Sequence, residues 1–275
     1  LKTVYDMKRL FLLFAAALLA AACPAGAFAQ FKIGGKKIDA AKLLNAGKDV
    51  AKAVTLSDEE IARLSRESVE WMDANNPIAD ETTEYGARLK RLTEGITEIN
   101  GLPLNFKVYH VVDVNAFACG DGSIRVFSAL MDLMDDDELM AIIGHEIGHV
   151  VHADVKHAMK NAYLSSATRN AAGAAEGSTL AKLSDSQLGE VVTAFTGAQF
   201  SQKQEYEADE YGFEFSVKNG FSPYGMGNSL NKLVELSKGA KSSTVQKMFS
   251  SHPDSEKRAA RMKEKADAYV AAHQQ

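Results

Sequence analysis

His145-Glu146-Ile147-Gly148-His149 is the segment of this chain best equipped for chemistry. On an α-helix, residues four apart share a face, so His145 and His149 can both reach one metal ion. Two neutral imidazoles suit Zn²⁺, and the adjacent carboxylate of Glu146 can take the proton of a zinc-activated water. That is the minimum apparatus for metal-assisted hydrolysis of a peptide bond. The setting supports it over a chance pair of solvated histidines. Ile142, Ile143, Ile147, Val150 and Val151 bury the helix, so its His and Glu side chains are buried polar groups that need partners. Gly144 and Gly148 each cost about 1 kcal/mol in a helix interior relative to Ala. Close approach of a second helix would account for both.

A zinc hydrolase needs a third protein ligand and one open position. The extended pattern H-E-x-x-H-x-x-G-x-x-H is absent, because His149 is followed by Val150-Val151-His152-Ala153-Asp154-Val155. His152 and His157 read as surface residues on a continuing helix. The best later candidate is Glu205, in Ser201-Gln202-Lys203-Gln204-Glu205-Tyr206-Glu207-Ala208-Asp209. Glu205 and Asp209 are four apart and share a face, so one helix can supply a ligand and an acceptor for the second ring N–H of a ligating His. Taken alone, the segment reads better as an ordinary acidic helix face; beside H-E-x-x-H the ligand reading leads.

With these two segments some sixty residues apart, the chain resembles the gluzincin family of HtpX and the CAAX prenyl proteases, and most of all its soluble periplasmic members. Further segments carry the likeness: Asn115-Ala116-Phe117-Ala118 before the turn Gly120-Asp121-Gly122, then Ile124 to Ser128 and Leu130 to Met134, and His252-Pro253 with Arg258. The likeness covers most of residues 56 to 265. It implies an α+β, mainly helical metallopeptidase with a small β-sheet beside the H-E-x-x-H helix. It implies one zinc ion held by His145, His149 and Glu205, with Glu146 as general base and Asp209 behind a ligand. It implies that Asn115, Ala116, Phe117 and Ala118 form an edge strand that binds extended substrate through main-chain hydrogen bonds. The loop of His252 is implied to reach the site, either donating a hydrogen bond to the oxyanion or occupying the open position on zinc. Partners are then protein or peptide substrates, in a quality-control role, with outer-membrane association left open. HtpX and the CAAX proteases carry membrane helices around this core, and here the mature chain has none in its sequence pattern.

Composition bounds the alternatives. The 275 residues, 46% hydrophobic, can build a sizeable core, and a net charge of −5 without a long basic run argues against nucleic acid as a partner. Met7-Lys8-Arg9, the apolar Leu10 to Ala22 and the Ala27-Phe28-Ala29 site read as an export signal over residues 1–29, with a mature start at Gln30. Ala22-Cys23 leaves a second reading open, a lipoprotein anchored through Cys23. After cleavage at Gln30, Cys119 is the one remaining cysteine and forms no intramolecular disulfide; it reads as a small buried residue. The competing functional class is a zinc-binding periplasmic chaperone or assembly factor. Structural zinc sites favour four ligands with Cys among them, which this set lacks.

The elements that must position these residues follow from local patterns. Residues 30–55, rich in Lys, Ala and Gly, read as a tether, and residues 56–275 as the catalytic domain. Ser57 and Glu60 form a capping box for a helix to about Ala74. Tyr85, Leu89, Leu92, Ile96 and Ile99 predict a helix from about Glu81 to Asn100. Leu104 to Val114 reads as a strand, and Asp121-Gly122 as a turn joining the next segments. Asp135 to Glu138 cap the zinc helix. Ala158 to Phe200 reads as helical linker or as a lid over the cleft. Helices are predicted from about Gln202 to Asn219, Pro223 to Lys238 and Ser255 to Ala272.

Overall fold

The computed structural model describes residues 31–33, 36–38, 56–170, 183–239, 251–253 and 255–273. The expected leader, including Cys23, lies outside them, as does most of the expected tether. Two compact units are present. The smaller comprises Leu1–Leu56 and Tyr163–Lys182, and its described part includes the antiparallel pair β1 (Phe31–Ile33) and β2 (Lys36–Ile38). The larger comprises Ser57–Ala162 and Leu183–Gln275 and holds every candidate site residue.

The larger unit opens with α1 (Asp58–Asn75), capped by the expected reciprocal bonds between Ser57 and Glu60. After β3 (Ile78–Ala79) comes α2 (Glu84–Leu92), shorter than its apolar stripe predicts. The chain instead forms a hairpin of β4 (Glu98–Ile99) and β5 (Leu102–Pro103) around Asn100 and Gly101, at φ 50° and 77°. Asn-Gly with both residues at positive φ is a two-residue hairpin turn, whose twist suits paired strands. Ile96 and Ile99 still pack against the core, so the stripe predicted burial correctly and helix wrongly.

The expected strand is β6 (Asn105–Tyr109), followed by β7 (Ala116–Ala118) and β8 (Ser123–Phe127). The sheet order is β3-β6-β8-β7, with β6 and β8 parallel and the other pairs antiparallel. β7 is therefore an edge strand. Behind the sheet, Arg125 of β8 is only 1% exposed. Its guanidinium donates to both oxygens of Asp73 on α1, at 2.9 and 3.0 Å, and Tyr109 and Lys107 donate to the same carboxylate at 2.7 Å. This cluster ties α1 to the sheet.

α3 (Ser128–Leu133) leads into α4 (Asp136–Val151), the H-E-x-x-H helix, with Asp135 and Glu138 forming its capping box as expected. Leu139, Ile143 and Ile147 join Val108, Ile124 and Val126 in one core between helix and sheet. The helix does not continue through His152, which caps it. Ala153 takes φ 62° and a new helix, α5 (Asp154–Asn170), begins at once. His152 and His157 are exposed, as the pattern predicts. Then come α6 (Asp185–Thr196), α7 (Gln202–Lys218), α8 (Gly225–Gly239) and α9 (Ser255–His273). Among the described residues no helix is long and apolar enough to cross a membrane.

Candidate active site

The helix pair α4 and α7 builds the site, and its glycines permit the approach. A Cβ on Gly144 would lie 3.0 Å from the Cα of Gly212, and one on Gly148 would lie 3.1 Å from the Cα of Ala208. The two helices therefore touch almost backbone to backbone along the turns that carry His145, His149, Glu205 and Asp209. All four side chains are buried, at 3% exposure or less.

At the centre, Nε2 of His145 and Nε2 of His149 stand 3.1 Å apart, their rings nearly perpendicular. The Glu205 carboxylate lies 3.8 Å from the first and 3.6 Å from the second. His252, on the loop before α9, places Nδ1 3.0 Å from Glu205 Oε1 and 3.4 Å from His145 Nε2. Ligand atoms of these four residues all lie within 4.8 Å of one another. Glu146 borders the cluster. Its Oε1 is buried, has no hydrogen-bond partner among the described residues, and lies 3.8 Å from His252 Nε2. A buried carboxylate oxygen left unpaired is costly unless a ligand or reacting group completes it.

The outer nitrogen of each imidazole is held by a carboxylate. His145 Nδ1 donates to Asp209 Oδ1 at 2.9 Å, as the helix spacing predicts. His149 Nδ1 donates to Asp154 Oδ2 at 2.9 Å, a partner the sequence reading misses. Both contacts turn Nε2 lone pairs toward the centre. Arg258 of α9, which the sequence carries as part of the family likeness without a stated role, is the other residue whose part the sequence reading misses. It donates to both oxygens of Asp209, at 2.6 and 2.7 Å, and pairs with Glu205. Burial lowers the pKa of His145 despite Asp209. Burial also depresses His149, but the Asp154 hydrogen bond and the Glu205 carboxylate outweigh it and raise that imidazole to about 9. Four carboxylates are buried around the centre, Glu146, Asp154, Glu205 and Asp209, and Arg258 pairs with two of them, Glu205 and Asp209. The excess negative charge suits a divalent cation, and two imidazoles with a carboxylate are a fitting donor set for one.

β7 runs beside α4. Its register with β8 turns the Phe117 main chain inward and leaves the main-chain groups of Ala116 and Ala118 on the outer edge. Phe117 itself packs with Tyr109, Phe127 and Phe195 of α6, so its side chain belongs to the core. The Oδ1 of Asn115 is buried without a partner among the described residues. Phe200, just before α7, stacks on His149 with ring centroids 4.0 Å apart. The segment read as helical linker or lid thus touches the site at its end, while residues 171–182 lie outside the described part. Cys119 is a free, fully buried thiol whose pKa burial pushes up.

A paired-helix site of this kind beside a small sheet defines a gluzincin-type metallopeptidase. The chain belongs to peptidase family M48, whose model matches residues 85–266. Metalloprotease LoiP of Escherichia coli (strain K12) is 41% identical over 236 residues, covering 86% of this chain and 92% of the relative. Metalloprotease YcaL of the same strain is 37% identical, covering 83% and 88%. The Beta-barrel assembly-enhancing protease of that strain is 30% identical, covering 60% of this chain and 35% of the relative. The chain is a metalloprotease.

Proposed function

We propose that this metalloprotease is a zinc-dependent endopeptidase of extracytoplasmic proteins, working in envelope protein quality control. The observation that carries the chemistry is the unpartnered, buried Oε1 of Glu146 beside the convergent donors of His145, His149 and Glu205. Those three residues would hold the ion. When bound, zinc acts as a Lewis acid that activates water and polarises the scissile carbonyl.

The remaining work falls to the chain's own side chains. Glu146 accepts a proton from the attacking water and returns it to the leaving amine. Asp209 and Asp154 keep the outer ring nitrogens protonated, so Nε2 of each His stays a donor to the metal. The outer edge of β7 and the Asn115 Oδ1 offer hydrogen bonds to an extended peptide. Main-chain recognition reads little sequence, which suits a protease acting on damaged or misassembled proteins.

The export signal read at residues 1–29 supports an envelope location, and one relative is named for enhancing β-barrel assembly. N-terminal sequencing should find a mature start at Gln30; a diacylated Cys23 would instead indicate membrane anchoring. The decisive experiment is Glu146→Gln. It should leave zinc bound and abolish cleavage of a peptide library read by mass spectrometry. One observation favours a second reading. His252 brings a fourth protein donor to the centre, as in structural zinc sites. A chaperone or assembly activity that survives Glu146→Gln, with no cleavage by the wild type, would establish that alternative.

A further inference from the structure

Helix α7 begins with a capping box in which Ser201 is the N-cap and Gln204 the N3 residue. The Gln204 Oε1 accepts from Ser201 N at 2.9 Å and from Ser201 Oγ at 2.8 Å. Glu and Gln serve this role equally well, because only an acceptor oxygen is needed. In α1 and α4 the same position is a glutamate, Glu60 and Glu138. In α7 the second half of the amide is also used. Its Nε2 donates to Asp154 Oδ1 at 2.6 Å, while the other oxygen of Asp154 accepts from His149 Nδ1 at 2.9 Å.

An unbroken chain of contacts therefore runs Ser201, Gln204, Asp154, His149. It joins the first turn of the helix that carries Glu205 to the imidazole on the other helix. Asp154 can take this place only because Ala153, at φ 62°, breaks the chain between α4 and α5. A carboxylate with two oxygens can rotate or tilt. Accepting from His149 on one oxygen and from a fixed amide on the other holds it, and with it the ring of His149.

We infer that Gln204 is a positioning residue for the metal site: its amide locks Asp154 against His149 and sets that imidazole in register with Glu205, the next residue along α7. This rests on the reading that His149 and Glu205 hold the metal. Glutamine is required here because only an amide accepts from Ser201 and donates to Asp154 at once. A carboxylate at the position keeps the cap and sets like charges face to face.

The test separates capping from positioning. Gln204→Glu preserves the capping box, so the metal-free protein should keep its helical circular dichroism, while the like charges at Asp154 lower its melting temperature. Its zinc affinity, measured by competition with a chromophoric chelator, should fall, with the roughly 10–100-fold loss expected on removing a ligand's own partner, here Asp154, as the upper bound. Gln204→Ala should lose both melting temperature and affinity. The double variant Asp154→Asn with Gln204→Glu reverses donor and acceptor across the contact while still leaving an oxygen for His149, so it should regain affinity over Gln204→Glu alone. Wild-type zinc affinity in Gln204→Glu would overturn the inference and leave the peptidase reading intact. So would a double variant no better than the single one. A wild type that binds zinc tightly yet cleaves no peptide would overturn the peptidase reading alone.

Discussion

One oxygen of Asp209 serves two partners: its Oδ1 accepts from His145 Nδ1 at 2.9 Å and from Arg258 Nη2 at 2.6 Å. The imidazole on α4 is thereby tied through α7 to α9. Arg258 also holds the second oxygen of Asp209, so the carboxylate cannot swing away from His145. Burial raises the pKa of Asp209, but the hydrogen bonds from Arg258 and His145 reverse this and lower it. It is thus a charged acceptor that strengthens His145 as a ligand.

Asp209→Asn is therefore expected to cost about 10–100-fold in zinc affinity or activity, with the fold preserved. Zinc competition and peptidase assays on the purified variant check this. Wild-type values in both would mean that Arg258 alone orients the site.

The α4–α7 contact predicts a second outcome. A Cβ on Gly212 would lie 2.8 Å from the carbonyl oxygen of Ala141 and 2.9 Å from the amide nitrogen of His145. Both are backbone atoms inside a helix, so neither can yield without moving the helix. Gly212→Ala should destabilise the metal-free protein by about 1–3 kcal/mol, as overpacking does. It should also weaken zinc binding, because the displaced atom belongs to His145, a proposed ligand. Urea denaturation and zinc competition measure the two effects, and a variant as stable as wild type would show that the helices have room to part.

A third prediction concerns acid stability. Burial raises the pKa of Asp73, but hydrogen bonds from Arg125, Lys107 and Tyr109 outweigh it, and the net shift is downward. A depressed carboxylate pKa means that the unfolded chain binds the proton more readily. The contribution is complete above the unfolded pKa of about 4 and is lost as pH falls through the folded value. Asp73→Asn lacks this group, so its unfolding free energy should fall less steeply than that of wild type below about pH 4. Parallel curves for the two proteins over that window would remove Asp73 from the acid response.

Much of the site was legible because its parts are local. His145, Glu146 and His149 share one helix, and Glu205 and Asp209 another, so spacing alone places each group on a face. The costly Gly144 and Gly148 pointed to the helix contact. Asp154 was illegible for a physical reason. On a continuous helix a residue five positions after His149 is rotated by about 140° away from it, and only the left-handed turn at Ala153 brings it back. Arg258 was marked by the family likeness, but its role was illegible, because its partners Glu205 and Asp209 lie about fifty residues earlier on α7. Arg125 reads as a surface residue of a strand until its partner on α1, fifty-two residues earlier, is known. In residues 93–103 the apolar stripe was real, but Asn100-Gly101 demanded a turn.

His252 carries the last prediction. The two roles open to it, oxyanion donor and occupant of the metal's open position, predict opposite phenotypes. The geometry separates them. Its Nδ1 stands among the donor atoms, 3.0 Å from Glu205 Oε1 and 3.4 Å from His145 Nε2, while its Nε2 is turned toward Glu146 at 3.8 Å. The ring is flanked by Phe200, 5.6 Å away, whose amide donates to the carbonyl of Ser251 at 3.2 Å and fixes the loop. An imidazole in that place competes with water for the centre and crowds the base. His252→Ala is accordingly expected to raise basal peptide hydrolysis at matched zinc occupancy. A loss of about 10²–10³ in kcat would assign it instead to oxyanion stabilisation, and an unchanged rate would eliminate both roles.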